Sequence, residues 1–274
     1  MFVHYILTVS YIIFSIIAIW CTGLQKVQSE QNILHEKNVV AALHALDVSI
    51  INHDVKTHLS PIKMCTEMLE SHIPGPLNEK QEKMVVTMRR CVEKLETLLN
   101  DISDMYKLES HSMHLEKTDL DVQDLMDGCT NLLRPFISEK QVELQIESGE
   151  HGKIYADGRR IGQVLVNLVK NAIDFVPESG GKITITVQKG QDCTMLFCVE
   201  DNGEGVKPED LGKIFNKFYK GESKQARKYG GSGLGLGICK GIIQEHGGKI
   251  WLESRNPNGT LFKFTIPLIS SQSI

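Results

Sequence analysis

The chain has 274 residues, of which 41% are hydrophobic and 23% are charged, a composition typical of a globular protein rather than a disordered one. Its formal net charge of -4 gives no support for nucleic-acid binding. The seven cysteines form no CxxC pair, so we interpret them as reduced thiols of a cytoplasmic protein. The length allows two modest domains and a segment outside them.

The first 25 residues contain no Lys, Arg, Asp or Glu. About 20 apolar residues are enough to cross a bilayer as a helix, and Tyr5 and Trp20 would lie near its two interfaces. A cleaved signal peptide and a buried core helix are the alternatives, but no basic segment precedes the apolar run and no polar face is visible. We therefore expect residues 1–25 to be a single-pass anchor in the cell membrane, followed by a cytoplasmic part.

Residues 26–110 fit two long amphipathic helices, separated by Pro74-Gly75-Pro76. Apolar residues recur at every seventh position of the first helix: Val48, Val55, Ile62 and Leu69. Leu59 and Thr66 occupy the intermediate turn, which is typical of a coiled-coil seam. A lone antiparallel hairpin cannot cover both of its apolar stripes. Because a second copy would complete a four-helix bundle, we expect this region to be a dimerisation domain and the protein to be a homodimer.

The first helix also displays a histidine on the side away from that seam. Each residue turns a helix by about 100°, so His53 lies about 200° from Val55 around the axis. Asp54 is adjacent, and Thr57 follows one turn further along the same face. A nucleophile, a carboxylate that could orient it and a hydroxyl are therefore displayed together. The alternative is an ordinary surface histidine, since the chain contains ten.

Residues 111–270 alternate between helical and strand patterns, which predicts an α/β sandwich with a mixed, mainly antiparallel sheet. The predicted strands cover residues 114–120, 141–147, 154–157, 182–188, 195–201, 249–254 and 260–267. The predicted helices cover residues 122–138, with an interruption near Pro135, and residues 158–176 and 235–245.

The helix over residues 158–176 carries a row of amides. Gln163, Asn167 and Asn171 are four residues apart, so each step turns the row by only about 40°. Amide oxygens suit Mg²⁺, which keeps several waters and shares its coordination sphere with phosphates. A row of amides facing solvent would look the same.

A short acidic and glycine-containing motif leaves the strand that ends at Asp201. The Asp201 carboxylate can accept a hydrogen bond from an exocyclic amine, and Gly203 and Gly205 would let a flat ring approach the backbone. By itself this motif is equally typical of an acidic turn.

A glycine-rich stretch containing Gly231, Gly233, Leu234 and Gly235 opens the helix over residues 235–245. Backbone N–H groups at such a helix N-terminus can bind phosphate. The stretch is not a Walker A loop, because no Lys-Ser/Thr pair follows its last glycine. It does not fit the dinucleotide fingerprint either, because no βαβ unit surrounds it.

Phe215, Lys217 and Phe218 precede this glycine-rich stretch. The segment that joins Phe218 to the glycine-rich stretch is polar and basic, with Lys220, Lys224, Arg227 and Lys228. It fits a basic lid over a triphosphate, and it also fits a solvated loop.

Together, the order and spacing of these motifs resemble the ATP-binding domain of sensor histidine kinases. That fold, of the Bergerat or GHKL type, is shared with type II topoisomerases, mismatch-repair ATPases and heat-shock chaperones. His53-Asp54-x-x-Thr57 resembles the phosphoacceptor box (HisKA type) of the same kinases. Further downstream, His246-Gly247-Gly248 and Gly259-Thr260-x-Phe262 are similar to that family as well. The resemblance extends from about residue 40 to residue 268.

The resemblance implies a role for each motif in binding ATP. Asn171 would hold Mg²⁺ between the phosphates, and Asn167 would support the phosphate side. Asp201 would bind the adenine amine between Gly203 and Gly205. Gly231, Gly233 and Gly235 would shape the lid hinge and the phosphate loop. The other nucleotide-binding residues would be Phe215, Lys217, Phe218 and Leu234.

The resemblance also implies a phosphoryl transfer. His53 would accept the γ-phosphoryl group of ATP, with Asp54 fixing its tautomer. The group would then pass to an aspartate in the receiver domain of a separate response regulator. Thr57 would orient a water molecule for a phosphatase reaction. The rival interpretations are an ATPase without a phosphoenzyme and a non-catalytic scaffold or regulator-binding phosphatase.

Two positions depart from the family pattern. His58 stands where the family usually has proline, and a proline follows only at Pro61, so the helix kink near the phosphoacceptor is expected to be displaced or lost. Asp174 occupies a place where the family often has a basic phosphate contact, which reverses the local charge.

Overall fold

A computed structural model describes residues 51–148, 152–221, 231–254 and 259–268. The expected membrane anchor and the N-terminal part of the first predicted helix lie outside these ranges, as does most of the predicted basic lid. Among the described helices, none has the length and apolar character needed to span a bilayer.

The hairpin consists of α1, described over residues 51–70, and α2, Glu79–Glu109. The Asn78 side chain accepts a hydrogen bond from the Gln81 backbone N–H, and the Gln81 side chain accepts one from the Asn78 N–H. This reciprocal pair is a capping box, which satisfies two donors at the start of α2. The predicted helical hairpin is therefore confirmed over the described residues.

The seam predicted for α1 is buried only in part. Val55 and Ile62 are 36% and 49% exposed, whereas Asn52, Leu59 and Thr66 are buried. The Asn52 side-chain amide donates to the Leu99 carbonyl oxygen on α2. Asn52, Leu59 and Thr66 form the face of α1 that contacts α2. Val55 and Ile62 lie on a neighbouring face.

The C-terminal half contains seven strands and three helices within the described ranges. In chain order they are β1 Thr118–Asp121, α3 Val122–Lys140, β2 Glu143–Ser148, β3 Lys153–Ala156, α4 Gly158–Phe175, β4 Lys182–Lys189, β5 Thr194–Asp201, α5 Gly235–Glu245, β6 Ile250–Ser254 and β7 Thr260–Pro267. Five strands form one sheet in the order β2-β4-β5-β7-β6. Only the β2–β4 pair is parallel in that sheet, so the prediction of a mixed, mainly antiparallel sheet is confirmed.

Two local predictions are wrong. The strand predicted over residues 114–120 begins only at Thr118, where pairing with β3 begins. The helix predicted to be interrupted at Pro135 runs through it to Lys140. Proline removes one backbone donor from the helix, but Met126, Cys129 and Leu133 are buried on the face that joins the core. That packing stabilises a continuous helix.

The core lies between the sheet and the layer formed by α3, α4 and α5. Phe197 and Phe264 stack across neighbouring strands with ring centroids 4.7 Å apart. Gly248, just before β6, comes so close to β7 that an added Cβ would lie 1.9 Å from the Thr265 carbonyl oxygen. The side chain of glycine is therefore the only one that fits there, and the path from α5 into β6 depends on it.

Candidate nucleotide and phosphoacceptor sites

Helix α4 positions the two asparagines. It begins at Asp157, whose carboxylate accepts a hydrogen bond from the Arg160 backbone N–H at 3.1 Å, as is usual for an N-cap. Most of its apolar side chains are buried in the core. Asn167 and Asn171 are half-buried and one turn apart. The third member of the predicted row behaves differently, because the Gln163 amide donates to Asp104 on α2 at 2.8 Å.

Asp201 ends β5 as a buried carboxylate, 6% exposed. Its Oδ1 accepts a hydrogen bond from the Gly203 N–H at 2.8 Å, and Thr260 donates to it as well. Burial raises the pKa of Asp201 to about 6, although the hydrogen bonds from Gly203 and Thr260 lower it in part. A carboxylate destabilised in this way gains from any further donor that reaches it.

The turn after Asp201 lies against the C-terminal end of α4. A Cβ added at Gly203 would lie 2.7 Å from the Phe175 carbonyl oxygen. Gly205 has a φ of +77° and faces the Gly259 carbonyl oxygen. Both glycines are therefore needed for close backbone approach, and they bring the acidic turn to the helix that carries the asparagines.

The glycine-rich stretch contacts the aromatic segment and the helix that carries the asparagines. Gly233 has a φ of +73°, and a Cβ there would lie 2.8 Å from the Phe218 carbonyl carbon. A Cβ at Gly235 would lie 3.8 Å from the Asn167 side-chain nitrogen. Leu234 is buried at the start of α5, whereas Gly231 is exposed. The structure thus brings the asparagine helix, the acidic turn and the glycine-rich stretch together around α4.

The two phenylalanines of the aromatic segment differ in burial: Phe215 packs against another ring, whereas Phe218 is exposed. The Phe215 ring packs edge-on against Phe262, with centroids 6.4 Å apart. Phe218 is 70% exposed and has a φ of +59°, which is uncommon for a bulky residue. Lys217 forms an ion pair with Glu109 on α2. Within this segment, Phe218 is the aromatic side chain open to solvent.

The acidic departure at Asp174 is compensated locally. The Lys140 ammonium group at the end of α3 lies 3.0 Å from the Asp174 carboxylate and also donates to the Ile173 carbonyl oxygen. A cation therefore stands next to the acid.

The phosphoacceptor candidates lie on α1, away from the α4 cluster in sequence and on a different element. The side chains of His53 and Asp54 are 82% and 71% exposed, and the distance from His53 Nδ1 to Asp54 Oδ1 is 3.6 Å. The Thr57 hydroxyl donates to the His53 carbonyl oxygen at 2.9 Å. Helix α1 continues past His58 and Pro61 to residue 70, so the histidine stands on an unbroken helix.

Several residues in contact with the site were not found from the sequence. Asp101 and Asp104 on α2 bind Ser232 and Arg160, respectively, and Thr260 binds Asp201. The only available signal was that Asp101 and Asp104 interrupt an apolar face of α2. Nothing in the sequence predicts their partners.

Two family models match the chain. Residues 48–111 match the model described as the His Kinase A (phospho-acceptor) domain. Residues 156–270 match the model described as histidine kinase-, DNA gyrase B-, and HSP90-like ATPase. The α/β fold of the C-terminal half fits this ATPase class. The chain belongs to the histidine kinases, with a phosphoacceptor domain followed by a GHKL-type ATP-binding domain.

Individual relatives agree with this assignment. The autoinducer 2 sensor kinase/phosphatase LuxQ of Vibrio parahaemolyticus is 29% identical over 253 residues, which are 90% of this chain and 29% of LuxQ. The alginate biosynthesis sensor protein KinB of Pseudomonas aeruginosa is 30% identical over 218 residues, which are 79% of this chain and 36% of KinB. This chain therefore spans about a third of the length of these relatives.

Two solved structures share the fold. Full-length ShkA in complex with AMPPNP is 25% identical, with a TM-score of 0.68, covering 83% of this chain and 46% of ShkA. Histidine kinase ThkA in complex with the response regulator protein TrrA is 27% identical, with a TM-score of 0.57, covering 87% of this chain and 67% of that chain.

Proposed function

We propose that this chain is an ATP-dependent protein-histidine kinase that phosphorylates His53 and passes the phosphoryl group to an aspartate of a separate response regulator. The observation that carries the proposal is a pairing within one chain. An exposed histidine with a neighbouring carboxylate stands on a helix, and the three nucleotide-site motifs meet around α4. The names of the relatives support it, since LuxQ is a sensor kinase/phosphatase and KinB is a sensor protein.

Adenine is proposed to bind at Asp201, where the buried carboxylate accepts the exocyclic amine. The triphosphate is proposed to lie at the N-terminus of α5, where backbone N–H groups favour anions. Phe218, Lys217 and the glycines from Gly231 to Gly235 would border the phosphates. The AMPPNP bound to ShkA supports a nucleotide in this kind of domain.

Asn171, with Asn167 one turn before it, is proposed to hold Mg²⁺. Both amides are half-buried, and Asn167 lies next to Gly235, so an ion there would touch the phosphate side of the site. Neutral amide oxygens fit Mg²⁺, which takes oxygen ligands and keeps several waters. The ion would neutralise charge that develops on the transferred group.

In the transfer, a ring nitrogen of His53 forms a bond to the γ-phosphorus, and the bond from that phosphorus to the bridging oxygen breaks, releasing ADP. Such a reaction depends mostly on positioning and charge neutralisation. Asp54 acts on the other ring nitrogen, where a carboxylate fixes the tautomer. The exposure of His53 matters because the ATP-binding domain and the receiver domain must each reach the same nitrogen.

The chain is also proposed to act as a dimer, to be anchored by residues 1–25 and to use Thr57 as a phosphatase residue. Support for a regulator partner comes from ThkA, whose structure contains the response regulator TrrA. The dimer is supported by the match to the phosphoacceptor domain and by apolar side chains of the hairpin that are exposed in one copy.

Replacing Thr57 by alanine is expected to separate the two activities. The dephosphorylation rate of the regulator should fall about 100-fold, the order contributed by a residue that positions a reacting water. Phosphorylation of His53 should be unchanged, because the hydroxyl only donates to the helix backbone in the resting chain. Thr57→Ser is the matched control and should retain phosphatase activity. If Thr57→Ala reduced His53 phosphorylation and regulator dephosphorylation equally, Thr57 would have no specific role in the phosphatase reaction.

One assay separates the kinase from its rivals. The purified chain is incubated with γ-labelled ATP and Mg²⁺, and both protein-bound label and ADP release are measured. Acid-labile, alkali-stable label on the protein supports the kinase. ADP release without label would indicate an ATPase that lacks a phosphoenzyme. Neither label nor ADP would indicate a scaffold or a regulator-binding phosphatase.

A further inference from the structure

The C-terminal part of α2 lies directly against the ATP-binding domain. Met105 belongs to the same buried cluster as the core of that domain. On α5, a Cβ added at Gly237 would lie 3.3 Å from the Met105 methyl carbon, and one at Gly241 would lie 2.5 Å from Leu108 Cδ1. Glycine is unfavourable inside a helix, so these two positions are explained by the close approach of α2.

Three acidic side chains on this part of α2 bind three separate parts of the ATP-binding domain. Asp104 Oδ2 accepts hydrogen bonds from Arg160 Nη1 and from the Gln163 amide, each at 2.8 Å. Asp101 Oδ2 accepts one from the Ser232 hydroxyl at 3.0 Å. Glu109 pairs with Lys217. We call residues 101–109 of α2 the acidic docking strip.

The Asp104 contact is the buried anchor of this strip. The side chains of Arg160 and Asp104 are 9% and 10% exposed, and Arg160 Nη1 also donates to the side-chain oxygen Oε1 of Gln163. Arg160 Nε, however, is buried without a hydrogen-bond partner among the described residues. An unsatisfied buried donor reduces the net stability that such an ion pair contributes. The docked arrangement can therefore be opposed by a modest competing interaction.

Asp101 is where a competing interaction would act. Its partner, the Ser232 hydroxyl, also accepts the Leu234 N–H at 3.2 Å, immediately before α5. The Asp101 carboxylate thus faces the same glycine-rich stretch and helix N-terminus as the proposed triphosphate. The other charges near Asp101 are Asp104 and Lys170. Burial raises the pKa of Asp101, and the hydrogen bond from Ser232 opposes that rise.

We propose that Asp101 makes the nucleotide site discriminate by phosphate charge, because its carboxylate and a polyphosphate repel each other across the Ser232 loop. Docking of α2 and binding of a triphosphate therefore weaken each other, as reciprocal coupling requires. The inference rests on the proposed function, since it needs ATP at the glycine-rich stretch. It goes beyond that function by assigning a residue of the hairpin to nucleotide selection.

The test measures the affinity of the purified chain for AMPPNP, ADP and adenosine in the presence of Mg²⁺ by titration calorimetry. Asp101→Asn keeps the shape and an acceptor for Ser232 but removes the charge. Asp101→Ala removes both. Glu82→Gln is the matched control, because it makes the same charge change on α2 about 28 Å away along the helix, well beyond the screening length at physiological salt.

Both Asp101 variants are expected to bind AMPPNP at least about threefold more tightly than the wild type does. Their affinity for adenosine should equal that of the wild type, and the gain in affinity for ADP should be intermediate. The difference should shrink in about 0.5 M salt. Glu82→Gln should match the wild type for all three ligands. Folding of each variant is checked by its adenosine affinity, which does not involve phosphate.

Two results would overturn the inference. In the first, Asp101→Asn and the wild type bind AMPPNP with the same affinity. In the second, tightening is equal for AMPPNP and adenosine, which would assign Asp101 a purely structural role. If the wild type binds none of the three ligands, the proposed nucleotide site itself fails. That outcome is distinct from a wild type that binds AMPPNP and is unaffected by the Asp101 substitutions.

Discussion

At the scale of single residues, the clearest effect of the surroundings is on the pKa of Asp201. Its carboxylate is buried at the end of β5 and receives hydrogen bonds from Gly203 and Thr260. These donors hold the carboxylate in place but do not fully offset the cost of burying its charge, so its pKa is raised to about 6. An adenine amine would add a donor to the ionised form only.

The affinity for adenosine is therefore expected to depend on pH. Binding to the ionised carboxylate lowers its pKa in the complex, so affinity should be constant above pH 6 and fall as the pH drops through about 6. The decrease should approach about tenfold per pH unit below that value. Adenosine is the ligand to use, because it has no phosphate that titrates in this range. Calorimetry from about pH 5 to pH 8 measures the profile.

Asp201→Asn is the control for this profile, since an amide does not titrate. It should bind adenosine weakly and with the same affinity at every pH in the range. A wild-type profile that is flat between pH 5 and pH 8, or a profile for Asp201→Asn that falls like that of the wild type, would remove Asp201 from adenine recognition.

At this scale, the sequence predicted the pairs of site residues that are close together along the chain. His53 and Asp54 are neighbours, and Asn167 and Asn171 are one helical turn apart, so spacing alone places each pair together. The bond between Asp104 and Arg160 joins residues 56 positions apart in the chain. No periodicity connects them, and their contact depends on how α2 docks against a separately folded domain.

At the scale of elements, the hairpin presents apolar side chains that one copy of the chain leaves exposed. On α1 these include Val55 and Ile62, and on α2 they include Met88, Leu95 and Leu98. The ion pairs of Lys63 with Glu96 and of Arg89 with Glu70 tie the two helices together in one protomer. The exposed side chains are therefore available for a second hairpin.

Leu95→Lys is expected to weaken the proposed dimer. Burying one leucine contributes about 1.5–3 kcal/mol, and the substitution removes that contribution in both protomers, so the dissociation constant should rise by at least about tenfold. Light scattering over a range of protein concentrations measures it. Leu132→Lys is the matched control, because Leu132 is 63% exposed on α3, and it should leave the mass unchanged. A wild type that is monomeric at all concentrations would contradict the proposal.

The sequence predicted element types better than element faces. The helix predicted over residues 158–176 is α4, Gly158–Phe175, because its N-cap and its apolar pattern agree. The heptad pattern of α1 predicted a helix correctly but did not distinguish the buried Leu59 and Thr66 from the exposed Val55 and Ile62. Apolar spacing cannot distinguish a face that covers α2 from a neighbouring face that covers another chain. The predicted interruption at Pro135 is wrong, because local sequence does not reveal how α3 packs against the core.

At the scale of the whole molecule, the nucleotide-site motifs and the candidate phosphoacceptor stand on different elements. The ATP-binding domain is held against α2 by Asp101, Asp104 and Glu109, whereas His53 lies on α1. In the proposed reaction, the site around α4 must therefore deliver its phosphoryl group to a histidine on a separate helix. The acidic docking strip connects the two parts, and the proposed repulsion between Asp101 and a bound polyphosphate couples nucleotide charge to their relative placement.

The most direct test of the central claim is the location of the phosphoryl group after incubation with γ-labelled ATP and Mg²⁺. His53→Gln is compared with the wild type and with His58→Gln, a matched substitution five residues further along the same exposed helix. We predict acid-labile, alkali-stable label on the wild type and on His58→Gln and none on His53→Gln. Label that persists in His53→Gln, or that is lost only in His58→Gln, would contradict the account.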